Sequence, residues 1–326
     1  MIQRGFKEKQ LDGKSSNELK ELAKLARGDI LTMTTLAGCG HPGGSMSSID
    51  MYLTLYSCGK IFPDNPRHPD RDRIIISHGH TSPGAYAALG KTGFINSEDA
   101  IIGFRQSGSI FEGHVERTVP GIEWGTGNLG QGLSAGCGFA LGARLKKKDY
   151  HVFVLMGDGE QQKGQISEAR RFAAKYRLGN LTALIDNNHL QISGNIHDVM
   201  PQNIKENFIS DGWKVIEIDG HDFTQIYDAL YTAVNDPSGP VAIMAKTVMG
   251  KGVSFMENVA KYHGVTLTEE QYIQAMAELS LPHDMAGYRE KQKNARFIAS
   301  HCPPAGKTTI FTGEPICYAG DAGLDN

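Results

Sequence analysis

Gly157-Asp158-Gly159 follows directly on the apolar run Val152-Phe153-Val154-Leu155-Met156, and Asn187-Asn188 closes a second run, Leu181-Thr182-Ala183-Leu184-Ile185-Asp186. An aspartate at the end of a buried strand, with glycines that let a ligand approach the backbone, can hold a hard cation through a carboxylate oxygen. If the two runs are neighbouring parallel strands, Asn188 returns to the same sheet edge and adds an amide oxygen. Two hard donors so placed suit a metal-bound diphosphate. A Gly-Asp-Gly turn is common by itself, and it is the Asn pair at the far end of one crossover that makes this one informative.

The elements that must position these residues follow from periodicity. Ile166, Ala169, Phe172 or Ala173 and Tyr176 recur at helical spacing, which predicts a helix over 165–178 with Gly179 as its stop. The strand-helix-strand unit this makes puts both polar ends at the carboxyl edge of a parallel sheet, where such sheets bind ligands. A helix over 15–36 is expected from Leu19, Leu22, Ala26 and Ile30, with Ser15 and Glu18 as a capping box. Another helix starts at Ser45, after the breaker Cys39-Gly40-His41-Pro42-Gly43-Gly44. Arg73-Ile74-Ile75-Ile76-Ser77 reads as a strand whose end delivers His78-Gly79-His80 to the ligand edge. Gly127-Asn128-Leu129-Gly130-Gln131-Gly132 opens an Ala/Gly-rich helix reaching about Lys147. Strands at 213–218 and 241–245, joined by a helix over Phe223–Val234, complete five or six strands alternating with helices. The expected class is α/β, a doubly wound, mostly parallel sheet flanked by helices. Residues 1–14 read as an arm, 15–280 as the domain, and 281–326 as an extension packing on a partner or the surface.

With 326 residues the chain can form a sizeable core without staples. A formal net charge of -3 removes the electrostatic motive for general nucleic-acid or membrane-surface binding and favours small ligands. Five Cys without CxxC spacing suit free thiols in the cytoplasm; no secretory signal or membrane-length apolar run is expected. The 39 glycines concentrate at 38–44, 79–84, 125–142 and 157–164, which points to one site assembled from several loops.

Read together, these stretches resemble the N-terminal, diphosphate-binding half of the transketolases, over roughly residues 15–275. The matching pieces are Cys39-Gly-His-Pro-Gly-Gly, Ser77-His-Gly-His, Phe104-Arg-Gln-Ser-Gly-Ser, Gly113-His-Val-Glu, Gly127-Asn-Leu-Gly-Gln-Gly, the Gly157 to Asn188 segment, Asp219-Gly-His-Asp and Lys246-Thr-Val-Met-Gly-Lys-Gly-Val-Ser-Phe-Met-Glu. The resemblance implies a thiamine-diphosphate-binding fold and transfer of a two-carbon ketol unit from a ketose to an aldose. It implies that Asp158, Asn188 and the carbonyl of Leu190 hold Mg2+ (or Ca2+ or Mn2+) on the cofactor diphosphate, with Gly157 and the N–H of Gly159 beside the phosphate. Gly127 and Leu129 would face the aminopyrimidine, with the cofactor-binding Asn128 standing where many members have Pro, and Ile192 and Met249 would contact the thiazolium, Met249 in place of a Lys found in some members. His41, His80, His114 and His263 match the family's substrate and proton-transfer set, His80 and His263 also touching the cofactor. Imidazole suits that work because ketose cleavage removes a hydroxyl proton and aldose addition returns one. His221 reads instead as part of a strand-to-helix cap.

Two departures from the family matter most. Lys163 stands where a Glu is usual, which predicts lowered pKa values for neighbouring carboxylates, while Glu168 is retained. His78 replaces an Asn or Lys. The resemblance also implies a missing half: the pyrimidine-binding domain would lie on a separate C-terminal subunit, in an α2β2 heterotetramer that buries Gly/Ala-rich helix faces such as 133–145. The substrate implied is an anionic sugar, a sugar phosphate or a sulfosugar. Alternatives are half of another thiamine-diphosphate-dependent ketol or acyl transferase, and a non-catalytic regulatory paralogue.

Overall fold

The computed structural model describes residues 4–297. The chain runs α1 (Gly13–Ala37), α2 (Pro42–Cys58), β1 (Arg73–Ile76), α3 (Ser82–Lys91), α4 (Ser97–Gly103), α5 (Gly132–Leu145), β2 (Val152–Gly157), α6 (Gly164–Lys175) and β3 (Leu181–Asn187). It continues with the hairpin β4 (Leu190–Gln191) and β5 (Gly194–Asn195), α7 (Ile196–Val199), α8 (Ile204–Ser210), β6 (Lys214–Asp219), α9 (Phe223–Val234), β7 (Val241–Lys246), α10 (Glu269–Glu278) and α11 (Met285–Asn294). Five strands form one parallel sheet in the order β1-β2-β3-β7-β6.

Strand periodicity of two sorts the apolar side chains onto two faces. Phe153 and Leu155 of β2 and Leu184 of β3 join the core beneath α1, α2, α3 and α9. Val152, Val154 and Met156, with Ala183 and Ile185, join a second core beneath α5, α6 and α8. Helices therefore cover both sheet faces, as the alternation of elements implies. Both edges of the sheet are weak for pairing: β1 is four residues long, and β6 exposes Lys214, Glu217 and Asp219.

Several local expectations are corrected. Asp12, not Ser15, caps α1: its carboxylate accepts from Ser15 N at 3.0 Å and Ser15 Oγ at 2.6 Å. A carboxylate accepts at both oxygens, so Asp outcompetes the serine three residues later. Helix α6 stops at Lys175, and Gly179 serves close approach instead, since a Cβ there would lie 2.3 Å from the Pro237 carbonyl. The N-terminal segment packs: Phe6 is fully buried, its ring centroid 5.8 Å from Phe153 and 5.5 Å from Tyr227. Within the extension, α11 packs on α1 and α4; residues 298–326 lie outside the described residues. Cys39, Cys58 and Cys137 are free thiols.

Candidate functional site

The register pairs Gly157 of β2 with Asp186 of β3, so both strands end together at the carboxyl edge of the sheet. Asp158 turns in just beyond and is 2% exposed. Its Oδ1 accepts from Gly159 N at 2.6 Å and its Oδ2 from His189 N at 2.5 Å, tying the turn after β2 to the loop after β3. His189 makes that loop possible by adopting φ +63°. Asn188 Oδ1 accepts from Leu190 N at 2.9 Å, and its amide donates to Ser47 Oγ at 3.2 Å. Burial first, and then the neighbouring Asp186 charge, push the Asp158 carboxyl up to about 7.

A cavity of about 400 Å³ opens on this edge, walled in part by Asp158, Asn188, Leu190, Leu129, His80 and His263. A divalent cation fits these donors. A buried carboxyl whose ionisation is suppressed is one that a cation would restore to the charged state. Carboxylate, amide oxygen and backbone carbonyl are the hard ligands Mg2+ takes, and three protein oxygens leave about half of an octahedral shell for phosphate oxygens and water. Among the described residues no group of three His, Cys, Asp or Glu gathers that could hold a metal. Gly157 fits the same reading, because an added Cβ would meet only His78 Cβ, at 3.9 Å, so intramolecular packing does not require glycine there.

The histidines come from three further segments. His41 precedes α2, His80 follows β1, and His263 ends a short turn over Ala260–His263. Their ring centroids lie 5.0 Å (His41 to His80), 5.7 Å (His41 to His263) and 5.3 Å (His80 to His263) apart. Burial, then His263, Arg105 and His114, lower His41 to about 4. Burial and the neighbouring histidines hold His80 well below its ordinary value, and burial lowers His263. His114 is lowered by burial and by Arg105, and stands close enough for its charge to act on both His41 and His80. The cluster is thus a set of neutral imidazoles, able to accept a proton and pass it on.

The remaining expected residues fall differently. Leu129 lines the cavity, whereas Gly127 and Asn128 are exposed at the outer part of their loop. Ile192 forms the rim, 71% exposed. Met249 is fully buried beneath Gly43 and is not among the cavity-lining residues. His221 is structural, and the turn it belongs to caps α9 through Asp222, which accepts from Thr224 N and Gln225 N. The His221 ring accepts from Val248 N at 2.9 Å through Nε2 and meets Asp50 Oδ2 at 2.7 Å through Nδ1; Arg27 pairs the same oxygen at 2.6 Å. Lys163 reaches the cavity wall but is exposed. The expected lowering of nearby carboxylates does not occur: Asp158 and Glu160 are both raised, and Lys163 is not a cause in either, because its charge is in solvent.

Three residues at the site were not singled out as site residues. Asp186, 3% exposed, accepts from Ser47 Oγ and Ser48 Oγ at 2.5 Å each and from Thr247 Oγ1, fixing α2 to the ligand edge. Its signal was available in strand parity, since an even-numbered position on β3 faces α2. His78 is buried against Tyr52 Oη at 2.9 Å and is lowered to about 4 by burial. Glu160 is raised to about 7 by burial, opposed by hydrogen bonds from Ser77, Gly157 and Gly130. No local pattern marks it, because those partners are scattered along the chain. No helix among the described residues is long and apolar enough to cross a membrane.

Comparison with known proteins identifies the family. Residues 20–288 match the family described as transketolase, thiamine diphosphate binding domain. The chain is 41% identical over 248 residues to one of the subunits of the apulose-4-phosphate transketolase of Phocaeicola vulgatus, covering 75% of this chain and 87% of that one. It is 37% identical over 265 residues to the 6-deoxy-6-sulfo-D-fructose transketolase subunit of a Clostridium species, covering 80% and 96%. The crystal structure of Campylobacter jejuni transketolase superposes with a TM-score of 0.78 at 31% identity, over 85% of this chain but 45% of that longer one. The chain belongs to the transketolase family and carries its thiamine-diphosphate-binding domain.

Proposed function

We propose that this chain is the N-terminal subunit of a two-chain transketolase, moving a two-carbon ketol unit from an anionic ketose to an aldose in the cytoplasm. It would work with a C-terminal subunit that carries the pyrimidine-binding domain, as an α2β2 heterotetramer. The observation that carries this reading is that Asp158, Asn188, His80 and His263 line one cavity, with His41 packed against both of those histidines. Asp158, Asn188 and the Leu190 carbonyl would hold Mg2+, Ca2+ or Mn2+ on the diphosphate, with Gly157 and the Gly159 N–H beside it. Bound thiamine diphosphate supplies an electron sink for breaking the bond next to the ketose carbonyl. The chain's neutral imidazoles take the hydroxyl proton of the donor and return one to the acceptor. His80 and His263 line the cavity, His41 packs against both rings, and His114 lies near His41 and His80; the four would form the substrate and proton-transfer set. Two relatives named for a phosphorylated and a sulfonated sugar support an anionic substrate.

The test is to combine the chain with its C-terminal partner, thiamine diphosphate and Mg2+, and to follow ketol transfer from phosphorylated and sulfonated ketoses. Asp158→Ala should remove Mg2+-dependent cofactor binding in calorimetry of the same complex. Unchanged affinity in that variant would overturn the site, and a complex that binds cofactor without transferring ketol units would favour a regulatory role.

A further inference from the structure

Glu160 is 3% exposed, in the tight turn Gly159–Gln162 that follows Asp158. Its Oε1 accepts from Gly130 N at 3.0 Å and from Ser77 Oγ; its Oε2 accepts from Gly157 N at 3.1 Å. Ser77 Oγ in turn accepts from Gly132 N at 3.2 Å. One side chain therefore gathers the end of β1, the end of β2 and, at two points, the loop over 127–132. The glycines of that loop are placed for this contact. At Gly132 a Cβ would lie 2.5 Å from Ser77 Cβ, and Gly130, at φ +87°, would bring one within 2.6 Å of Lys163 Cβ.

We propose that Glu160 is a positioning residue that clamps the 127–132 loop against the Asp158 edge, so that Leu129 and the diphosphate-binding turn face one cavity in a fixed relation. This rests on the reading that the Asp158 edge takes the cofactor's diphosphate and the loop its ring. The chemistry requires a carboxylate, because two oxygens accept three donors and an amide has a single oxygen. His78 Nδ1 lies 3.9 Å from Glu160 Oε2 and has no hydrogen-bond partner among the described residues. In Glu160→Gln the amide oxygen would keep Gly130 and Ser77 while its N–H turns toward that nitrogen, losing only the Gly157 bond. Glu160→Ala would release the loop.

The test uses wild type, E160Q and E160A with Mg2+ and the partner chain, titrated with thiamine diphosphate and separately with inorganic pyrophosphate. Hydrogen exchange at the Gly130 and Gly132 amides of the full chain is read alongside. E160A should weaken thiamine diphosphate by ~10-fold or more while pyrophosphate changes by less than ~3-fold, and both amides should exchange faster. E160Q should keep Gly130 protected and bind thiamine diphosphate more tightly than E160A. Equal loss of both ligands in E160A, or unchanged exchange at both amides, would overturn the clamp. If wild type bound neither ligand, the site assignment would fail, and the exchange comparison would still decide the clamp. Should E160A not fold, Ser77→Ala reads one leg: Gly132 should lose protection while Gly130 keeps it, and loss of neither overturns the proposal.

Discussion

Replacing Asp158 by Asn should stabilise the cation-free chain at alkaline pH while removing its cation affinity. The carboxyl is almost fully buried and pushed from 3.8 to about 7, by burial and then by Asp186. A rise of roughly 3 units means that holding it ionised above pH 7 costs about 4 kcal/mol. Asn retains an acceptor for either Gly159 N or His189 N and confronts the other with its own N–H, which gives back about 1–3 kcal/mol. The variant should therefore gain about 1–3 kcal/mol at pH 8. The direction with pH follows from the raised folded value. The contribution of Asp158 to stability is fully present below about 3.8 and is lost as pH rises through about 7. The gap between variant and wild type should thus be small at pH 5 and wider by about 2–3 kcal/mol at pH 8. Urea unfolding in EDTA at the two pH values measures it, and adding Mg2+ and thiamine diphosphate with the partner chain should reverse the order. A variant less stable than wild type at pH 8 in EDTA, or a gap independent of pH, would refute this reasoning.

Gly157→Ala should leave urea stability within ~0.5 kcal/mol, because its Cβ meets nothing closer than 3.9 Å, yet weaken thiamine diphosphate by ~10-fold or more in a titration of the complex. His151 is lowered to about 3 by burial, so its stabilising contribution is present above about 6.5 and lost as pH falls toward 3. His151→Gln should therefore lose about 1.4 kcal/mol less than wild type between pH 7.5 and 5.5 in urea unfolding. Phe6→Ala should cost about 3–5 kcal/mol by the same method, since the ring is fully buried against Phe153 and Tyr227; a loss under about 1 kcal/mol would mean the segment is dispensable.

Much of this architecture was readable from the residues because the signals are local. Val152–Gly157 and Leu181–Asn187 are apolar runs bounded by polar turns, and Phe223–Val234 forms the helix its periodicity predicts. Asp158 and Asn188 were readable for the same reason, each sitting one step beyond a strand. The misses depend on competition or distance. Asp12 and Ser15 are both competent caps, and only the fold decides between them. Glu160 gathers residues 77, 130 and 157, which no window along the chain brings together. Lys163 was expected to act electrostatically on its neighbours, but charge alone does not reveal that its head lies in solvent. Gly179 ended a periodic run and so read as a helix stop, while its actual constraint comes from Pro237 across the amino edge of the sheet.

The edges of the sheet set the terms on which this chain can join another. With β1 only four residues long and β6 bristling with Lys214, Glu217 and Asp219, neither flank offers a clean backbone template for strand addition. A second polypeptide must instead dock through side chains on helices and loops. Such contacts, unlike a ladder of generic peptide bonds, discriminate between sequences, so a cell holding several two-chain enzymes of this family could keep their halves correctly matched.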